Sequence, residues 1–400
     1  MKSQGRRKIK VVHFCNQLGI GGTERSMELF CKYLDHDKYE VFAVSKIYRE
    51  PLVKKLRIEL GALIGLFHAK AKKKLLSQMN ARIPNFQAIL GREKVRFVQT
   101  PGELRAVLEE ISPDILHVWY SGTAEPPTSD EQILSKIPVT ITTNSFEIQN
   151  TAPAHRLVQR FYFPSHWLAE HRAQWAKGDS RAGVFYSPIE EPITQENLRA
   201  ELGIPKDAFV VGRVGRADPG IHDPISLKAY KQIETEKTFF LALSPPDNMV
   251  LDAKKLGIRN FIPLSPLDQI GLSKFYNTID VLVHARRDGE TFGCNIAEAM
   301  MHGKPVVSHL TPFMNAQQEV IGDAGFVCAE GDWQEYGRRL LSLKDDMNLR
   351  TQLSHRAKQR ALELFEVRKL TKRLESIYDE LLGNSQNRTH PSFSQAQTHV

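Results

Sequence analysis

Two carboxylates, Glu290 and Glu298, close the ends of the stretch Glu290-Thr291-Phe292-Gly293-Cys294-Asn295-Ile296-Ala297-Glu298, with seven residues between them. Ionised carboxylates accept hydrogen bonds from hydroxyls, and the amides that open a helix carry a partial positive charge suited to phosphate. An apolar strand-like run, residues 280–285 (DVLVHA), leads into the stretch, and the helix-like AEAMMHG leads out of it. A glycine-bounded loop between strand and helix therefore sets phosphate-binding amides between two acceptors for hydroxyls. A diphosphate that bears sugars on both sides needs both features. Taken alone, the pair reads as a helix cap and a solvated helix position. The flanking Phe292-Gly293 and His302-Gly303-Lys304-Pro305-Val306-Val307 shift that weighting toward a site.

The whole segment GETFGCNIAEAMMHGKPVVS resembles the E-x7-E signature of the retaining glycosyltransferases of family 4, the glycosyl transferases group 1, which have the GT-B fold. The resemblance implies an α/β protein of two Rossmann-like doubly wound domains facing a cleft, with a C-terminal helix packing back on the first domain. It implies that Glu290 contacts the donor sugar and Glu298 the ribose. Thr291, Phe292, Gly293, Cys294 and Asn295 form the loop that meets the diphosphate, joined by Arg216, and the loop beginning at Pro263 and Leu264 borders the base. The first-domain loop with Gly21 and Gly22 approaches the same ligand. The substrate the resemblance implies is a nucleotide-diphosphate sugar, with no further cofactor and no metal expected.

Two positions depart from the family pattern. After IPVTIT many members place a histidine near the reacting sugar, where this chain reads Thr143-Asn144-Ser145. Asparagine donates and accepts hydrogen bonds but exchanges no proton near neutral pH, so Asn144 is expected to position donor or acceptor or to form a turn. A retaining transfer on this fold is viewed as front-side attack in which the leaving diphosphate takes the acceptor proton, so no protein base is essential. The second departure follows Arg216: a lysine about five positions on is usual, and here Ile221 and His222 occupy that region. A protonated His222 would partly restore the charge.

The elements that must position these residues alternate along the chain. Strand-like runs begin at Ile9, Val41, Val95, Ile115, Val139 and Phe161, and helical patterns cover residues 25–34, 52–60 and 103–111. Such alternation implies a parallel sheet. Counting G-x-G-x-x-G from Gly19 and Gly21 ends on Glu24, which disfavours a nicotinamide cofactor. His117, between apolar neighbours, reads as a structural core residue, and Ser165 as a helix cap. Asp35-His36-Asp37 offers a D-x-D pattern in a polar turn and is read as a turn. Residues 187–192 (SPIEEP) read as the interdomain connection, residues 195–202 as a helix, and residues 208–216 as the first strand of a second domain. The expected division is 1–190 with the last helix 367–383, 191–366, and a disordered polar tail 384–400.

Composition sets the remaining bounds. Four cysteines, Cys15, Cys31, Cys294 and Cys328, lie far apart, which fits a reduced intracellular protein better than a disulfide framework. Residues 1–190 hold 28 Lys and Arg against 19 Asp and Glu, and the remainder 26 against 27. Much of the excess runs from Lys70 to Arg96, where cations interleave with Leu75, Leu76, Met79, Ile83 and Phe86; this segment is expected either to touch an anionic membrane surface or to form a solvated face. No recognition motif for nucleic acid accompanies it. The expectation is a retaining, metal-independent glycosyltransferase that uses a glycan or lipid-linked acceptor, cytoplasmic and peripheral on the inner face of the membrane. The competing readings are a noncatalytic relative that binds a nucleotide sugar or a partner, and, ranked last, a nucleotide-sugar epimerase.

Overall fold

The structure is a computed structural model that describes residues 7–47 and 78–389, apart from the side chains of 386–389. The expected helix at 52–60 and the cations Lys70, Lys72, Lys73 and Lys74 lie outside the described residues. The chain forms two compact units, Met1–Phe163 with Trp175–Gly183 and Arg368–Val400, and Pro164–Gln174 with Val184–Val367. The chain thus passes between units four times, and the segment 187–192 lies within the second unit.

The first unit is built on the seven-stranded sheet β3-β2-β1-β4-β5-β6-β7. Its strands are β1 (Ile9–Cys15), β2 (Tyr39–Lys46), β3 (Val95–Val98), β4 (Ile115–Tyr120), β5 (Val139–Asn144), β6 (Arg160–Phe163) and β7 (Ala182–Val184). Strands β1 to β6 pair in parallel. Helices cover both faces of such a sheet, so its inner strands read as unbroken apolar runs rather than alternating ones. Val11, Val12, Ile115 and Leu116 are accordingly fully buried. Helix α1 (Gly22–Tyr33) follows β1, and α2 (Pro101–Ile111) begins at Thr100, whose hydroxyl accepts the Glu103 N–H at 3.2 Å. Strand order reverses between β1 and β4, the switch point at whose C-terminal edge such sheets bind ligands.

The second unit contains the six-stranded parallel sheet β10-β9-β8-β11-β13-β15. It comprises β8 (Phe209–Val214), β9 (Thr238–Leu243), β10 (Phe261–Leu264), β11 (Val281–Val283), β13 (Val306–His309) and β15 (Gly325–Cys328). A separate two-residue ladder joins β12 (Gly289–Glu290) to β14 (Met314–Asn315). This unit also holds the helices α3 (His166–His171), α4 (Gln269–Thr278) and α5 (Cys294–Met301). Its switch point lies between β8 and β11. Two parallel-sheet Rossmann-like domains are the GT-B architecture.

The final helix, α6 (Val367–Thr389), packs on the first unit as expected. Leu370, Leu374, Tyr378 and Leu381 are buried, the Tyr378 hydroxyl bonds His117 Nδ1 at 2.9 Å, and Glu375 accepts the Asp35 N–H at 2.9 Å. Two local expectations fail. Residues 195–202 form bends and turns, because local side chains and a distant hydroxyl take backbone N–H groups of the segment: Glu196 N–H goes to Thr194 Oγ1 at 3.1 Å, Arg199 N–H to Asn197 Oδ1 at 3.0 Å and Leu198 N–H to Thr278 Oγ1 at 2.7 Å. The polar tail is helical to Thr389, since nothing after Gly383 breaks a helix before Pro391.

Candidate active site

Strand β11 delivers His284 and Arg286 to the switch-point edge of the second sheet, and the chain turns at Gly289 to bring Glu290 beside them. His284 Nε2 lies 3.0 Å from Glu290 Oε1, and Arg286 donates to the same oxygen at 3.1 Å. His284 Nδ1 meets the Ser308 hydroxyl at 3.1 Å, which fixes the ring. Arg286 also forks onto Asp288 at 2.9 and 2.7 Å. Burial pushes the Glu290 carboxyl up, but the Arg286 charge, the His284 bond and the Arg216 charge together hold it below the ordinary carboxylate range. Glu290 is therefore ionised at neutral pH, with its side chain still 14% exposed.

What fixes Glu290 comes from a loop to which the sequence reading gave no role. Glu290 pairs with Asn315 across the small ladder, and its carbonyl accepts the Ala316 N–H at 3.0 Å. Asn315 in turn accepts from Thr311 N–H at 2.8 Å and from Gln317 Nε2 at 3.1 Å. Gly289 permits the approach: its φ is +66°, and a Cβ there would stand 1.6 Å from the Met314 carbonyl oxygen. Only glycine fits.

The loop 291–295 is anchored as much as it is presented. Thr291 gives its carbonyl to the Ser165 hydroxyl at 2.8 Å, and that hydroxyl also caps α3 by accepting the Leu168 N–H. Phe292 is buried, edge-on to Phe365 with 5.3 Å between centroids. Gly293, at φ +96°, leads into α5 without a side-chain cap, and Cys294 is partly exposed. Asn295 donates from Nδ2 to the Val214 carbonyl at 2.9 Å, tying the first turn of α5 to the end of β8. Glu298, on the next turn, accepts the Tyr276 hydroxyl at 2.8 Å; burial and this carboxylate push the Tyr276 pKa well up, so the phenol keeps its proton.

Two arginines stand at the end of β8, Arg213 within the strand and Arg216 just beyond it. Arg216, the expected phosphate ligand, is exposed, and its charge acts on Glu290. Arg213, which the sequence reading passed over, is 4% exposed and reaches only carbonyls: those of Leu243 and Ser244 at 3.5 Å and Arg216 at 3.4 Å. Burial and the nearby Arg286 charge lower its pKa to about 10. No described carboxylate forms an ion pair with it. His222 does not supply the expected replacement charge. It is buried against Asp252, Nε2 to Oδ2 at 3.1 Å, and burial outweighs that carboxylate, so its pKa falls and the ring is neutral at pH 7. Pro263 and Leu264 lie on the edge strand β10, where the Leu264 carbonyl already accepts the Ser244 N–H at 2.9 Å.

The remaining expected residues belong to the first unit. Gly21 precedes α1 in extended backbone, and a Cβ there would stand 2.2 Å from the Glu24 carboxylate, while Gly22 is exposed. Asn144 ends β5 fully buried; its Oδ1 accepts the Thr142 hydroxyl at 3.0 Å and its amide nitrogen has no partner. It faces the interior rather than solvent. His117 is structural, bonded to Tyr378 and to Thr143 Oγ1 at 2.9 Å, and stacked on Trp119. Of the described cations in the basic stretch, Arg82 pairs with Glu28 at 2.8 Å and Arg96 with Glu110 at 2.6 Å. No helix among the described residues is long and apolar enough to cross a membrane.

Residues 194–360 match the model of the family Glycosyl transferases group 1. The capsular polysaccharide biosynthesis glycosyltransferase CapM of Staphylococcus aureus is 29% identical over 204 residues, which are 46% of this chain and 49% of CapM. The chain thus spans about half the length of that relative. Among solved structures, a glycosyltransferase from Rickettsia africae superposes with TM-score 0.69 at 14% identity, covering 95% of this chain and all (100%) of the other. Anabaena HepE, solved in complex with UDP, superposes with TM-score 0.64 at 14% identity over 93% of this chain and 100% of HepE. The fold is GT-B, and the segment 194–360, which carries Glu290, Glu298, Arg213 and Arg216, is similar to the group 1 glycosyl transferases.

Proposed function

We propose that the chain moves a glycosyl group from a nucleotide-diphosphate sugar to a hydroxyl of a glycan or lipid-linked acceptor, with retention of anomeric configuration. The observation that carries this reading is Glu290, held ionised by His284 and Arg286 at the switch-point edge inside the segment that matches the family. In this reading Glu290 orients the donor sugar by its hydroxyls and Glu298 holds the ribose. Arg213 and Arg216, with the amides that open α5, stabilise charge on the departing diphosphate, so that no metal and no further cofactor is required. A buried guanidinium that meets only carbonyls is well suited to take an anionic oxygen. Thr291, Phe292, Gly293, Cys294 and Asn295 hold the loop in place. Pro263 and Leu264 border the base, Gly21 and Gly22 let backbone approach the ligand, and Asn144 shapes the end of β5 rather than exchanging protons. HepE binding UDP supports a uridine nucleotide, and CapM, named for capsular polysaccharide biosynthesis, supports a role in building polysaccharide. The proposed place of action is the cytoplasmic side, in contact with the inner membrane surface.

A noncatalytic nucleotide-sugar-binding role is favoured by one pair of observations, the sealed Asn144 and the neutral, paired His222. Calorimetric titration with UDP and UDP-sugars, followed by donor turnover in EDTA with an acceptor panel and NMR of the product anomeric proton, separates the two. Turnover with retention supports transfer; binding without transfer or donor hydrolysis supports the second role; loss of turnover in EDTA or an inverted product overturns the corresponding part of the first.

A further inference from the structure

The first unit carries a polar cluster and an apolar fringe on the same edge of its sheet. At the ends of β1, β2 and β4, beside the switch point, the Glu125 carboxylate accepts from Asn16 Nδ2 at 2.6 Å and from Lys46 Nζ at 2.7 Å. Burial works against this charge, yet the bonds from Lys46 and Asn16 keep the carboxyl below its ordinary range. Both Glu125 and Lys46 remain 32% exposed along their side chains, so these bonds are open to exchange with hydroxyls of a ligand. Next to it, the Thr23 hydroxyl, in the first turn of α1 where the loop after β1 ends, meets the Ser145 hydroxyl of the loop after β5 at 2.7 Å and so joins the two loops. Those joined loops expose Ile20 by 49%, Phe146 by 47% and Ile148 by 41%. The loop after β4 is seated on them as well, since a Cβ on Gly122 would stand 2.1 Å from the Ile148 carbonyl.

Single exposed apolar residues are ordinary, but three on two tethered loops at a ligand-binding edge form a surface with a use. From this we infer, resting on the transfer reading above, that the acceptor is an amphiphilic glycoside. Its hydroxylated head exchanges hydrogen bonds with Asn16, Lys46 and Glu125, and its apolar aglycone covers Ile20, Phe146 and Ile148. A purely polar glycan leaves the fringe wet; a purely apolar ligand leaves the carboxylate and ammonium unused.

Matched methyl and hexyl glycosides of glucose, galactose and mannose test this with the full-length chain. Binding is measured by calorimetry, which needs no turnover, and transfer from UDP-glucose and UDP-N-acetylglucosamine is measured in parallel. Partial cover of a hexyl chain removes several methylenes from water, so at least one hexyl glycoside should bind on the order of tenfold more tightly than its methyl partner. Phe146→Ser and Ile20→Ser should each shrink that ratio, with UDP-induced thermal shift serving as the folding control. Equal binding within every pair, no binding of any hexyl glycoside, or a hexyl advantage that survives both substitutions overturns the inference. A wild-type dimer that Phe146→Ser converts to monomer, with no hexyl advantage, would instead assign the fringe to a second copy of the chain and overturn it too. A hexyl advantage that maps to Phe146 without any donor turnover leaves the amphiphile site standing and sinks the transfer reading.

Discussion

The two switch points of this molecule treat polar groups in opposite ways. In the second unit, Glu290 is charged, braced by an imidazole and a guanidinium, and reachable from solvent. In the first, charge stays at the rim in the partly exposed pair of Lys46 and Glu125, while the polar groups set into the strands, His13, His117 and Asn144, are sealed; burial pushes His13 down to about 3 and His117 well down, so both rings are neutral. The contrast separates two tasks. A preorganised charge in a partly dry site costs stability and is kept where charge must be met; neutral polar groups under a sheet edge fix its shape. Substitution of Glu290 or Glu298 should therefore register in turnover and affinity, and changes at the sealed positions of the first unit in stability.

The largest effect should come from Glu290→Gln, which keeps shape and removes charge: donor turnover should fall by roughly a thousandfold, about 4 kcal/mol, while UDP affinity stays within about threefold. Unchanged turnover would erase the contrast. Gly289→Ala puts a side chain into the Met314 carbonyl on left-handed backbone and should cost about 3 kcal/mol in urea unfolding, with turnover falling alongside; a stable, active variant would show that the ladder to β14 does not hold Glu290.

Acid should act on the two units at different pH. His13 has a folded pKa below its unfolded value of 6.5, so the unfolded chain binds a proton that the native chain refuses. Its stabilisation is complete above about pH 6.5 and declines as pH falls toward about 3, with roughly 2 kcal/mol lost by pH 5. Glu290, depressed below 4.5, keeps its contribution at pH 5 and loses it only at lower pH. Hydrogen exchange at pH 7.5 and 5 should thus show faster opening of β1 and β4 while the β12 ladder stays protected. The reverse order would break the comparison. Glu298→Gln should weaken UDP binding about tenfold, near 1.4 kcal/mol, by calorimetry, and equal affinity would remove the ribose assignment. The smallest effect belongs to Asn144→Ala: its amide nitrogen is already unpaired, so what is lost is the single bond from the Thr142 hydroxyl, unfolding free energy should fall by about 1 kcal/mol, and a loss several times larger would reveal a partner for that amide.

Much of this architecture is legible along the chain because a parallel sheet buried on both faces writes each inner strand as a short apolar run. Ile9–Cys15 and Ile115–Tyr120 were readable for that reason, and the carboxylate pair 290 and 298 was readable because it is local. The misses are long-range or disguised. Arg213 sits inside the apolar run FVVGRV and reads as a strand residue, while its neighbour Arg216 draws attention by standing outside it. Residues 195–202 carry a helical pattern that groups some eighty positions away, Thr278 and Asp280, override by binding Leu198 and Arg199. The hold of Asn315 and Ala316 on Glu290 is backbone pairing, which leaves no mark on residue type.

That two-residue ladder has a consequence for sequence length. Gly289 faces Met314 and Glu290 faces Asn315, and side chains alternate faces along a strand. One residue inserted or deleted between His309 and Met314 would slip the pairing by one step and set a different neighbour against Glu290. Variation in this loop is therefore confined to exchanges at fixed length, and homologous loops of other lengths should not transplant here without moving the carboxylate.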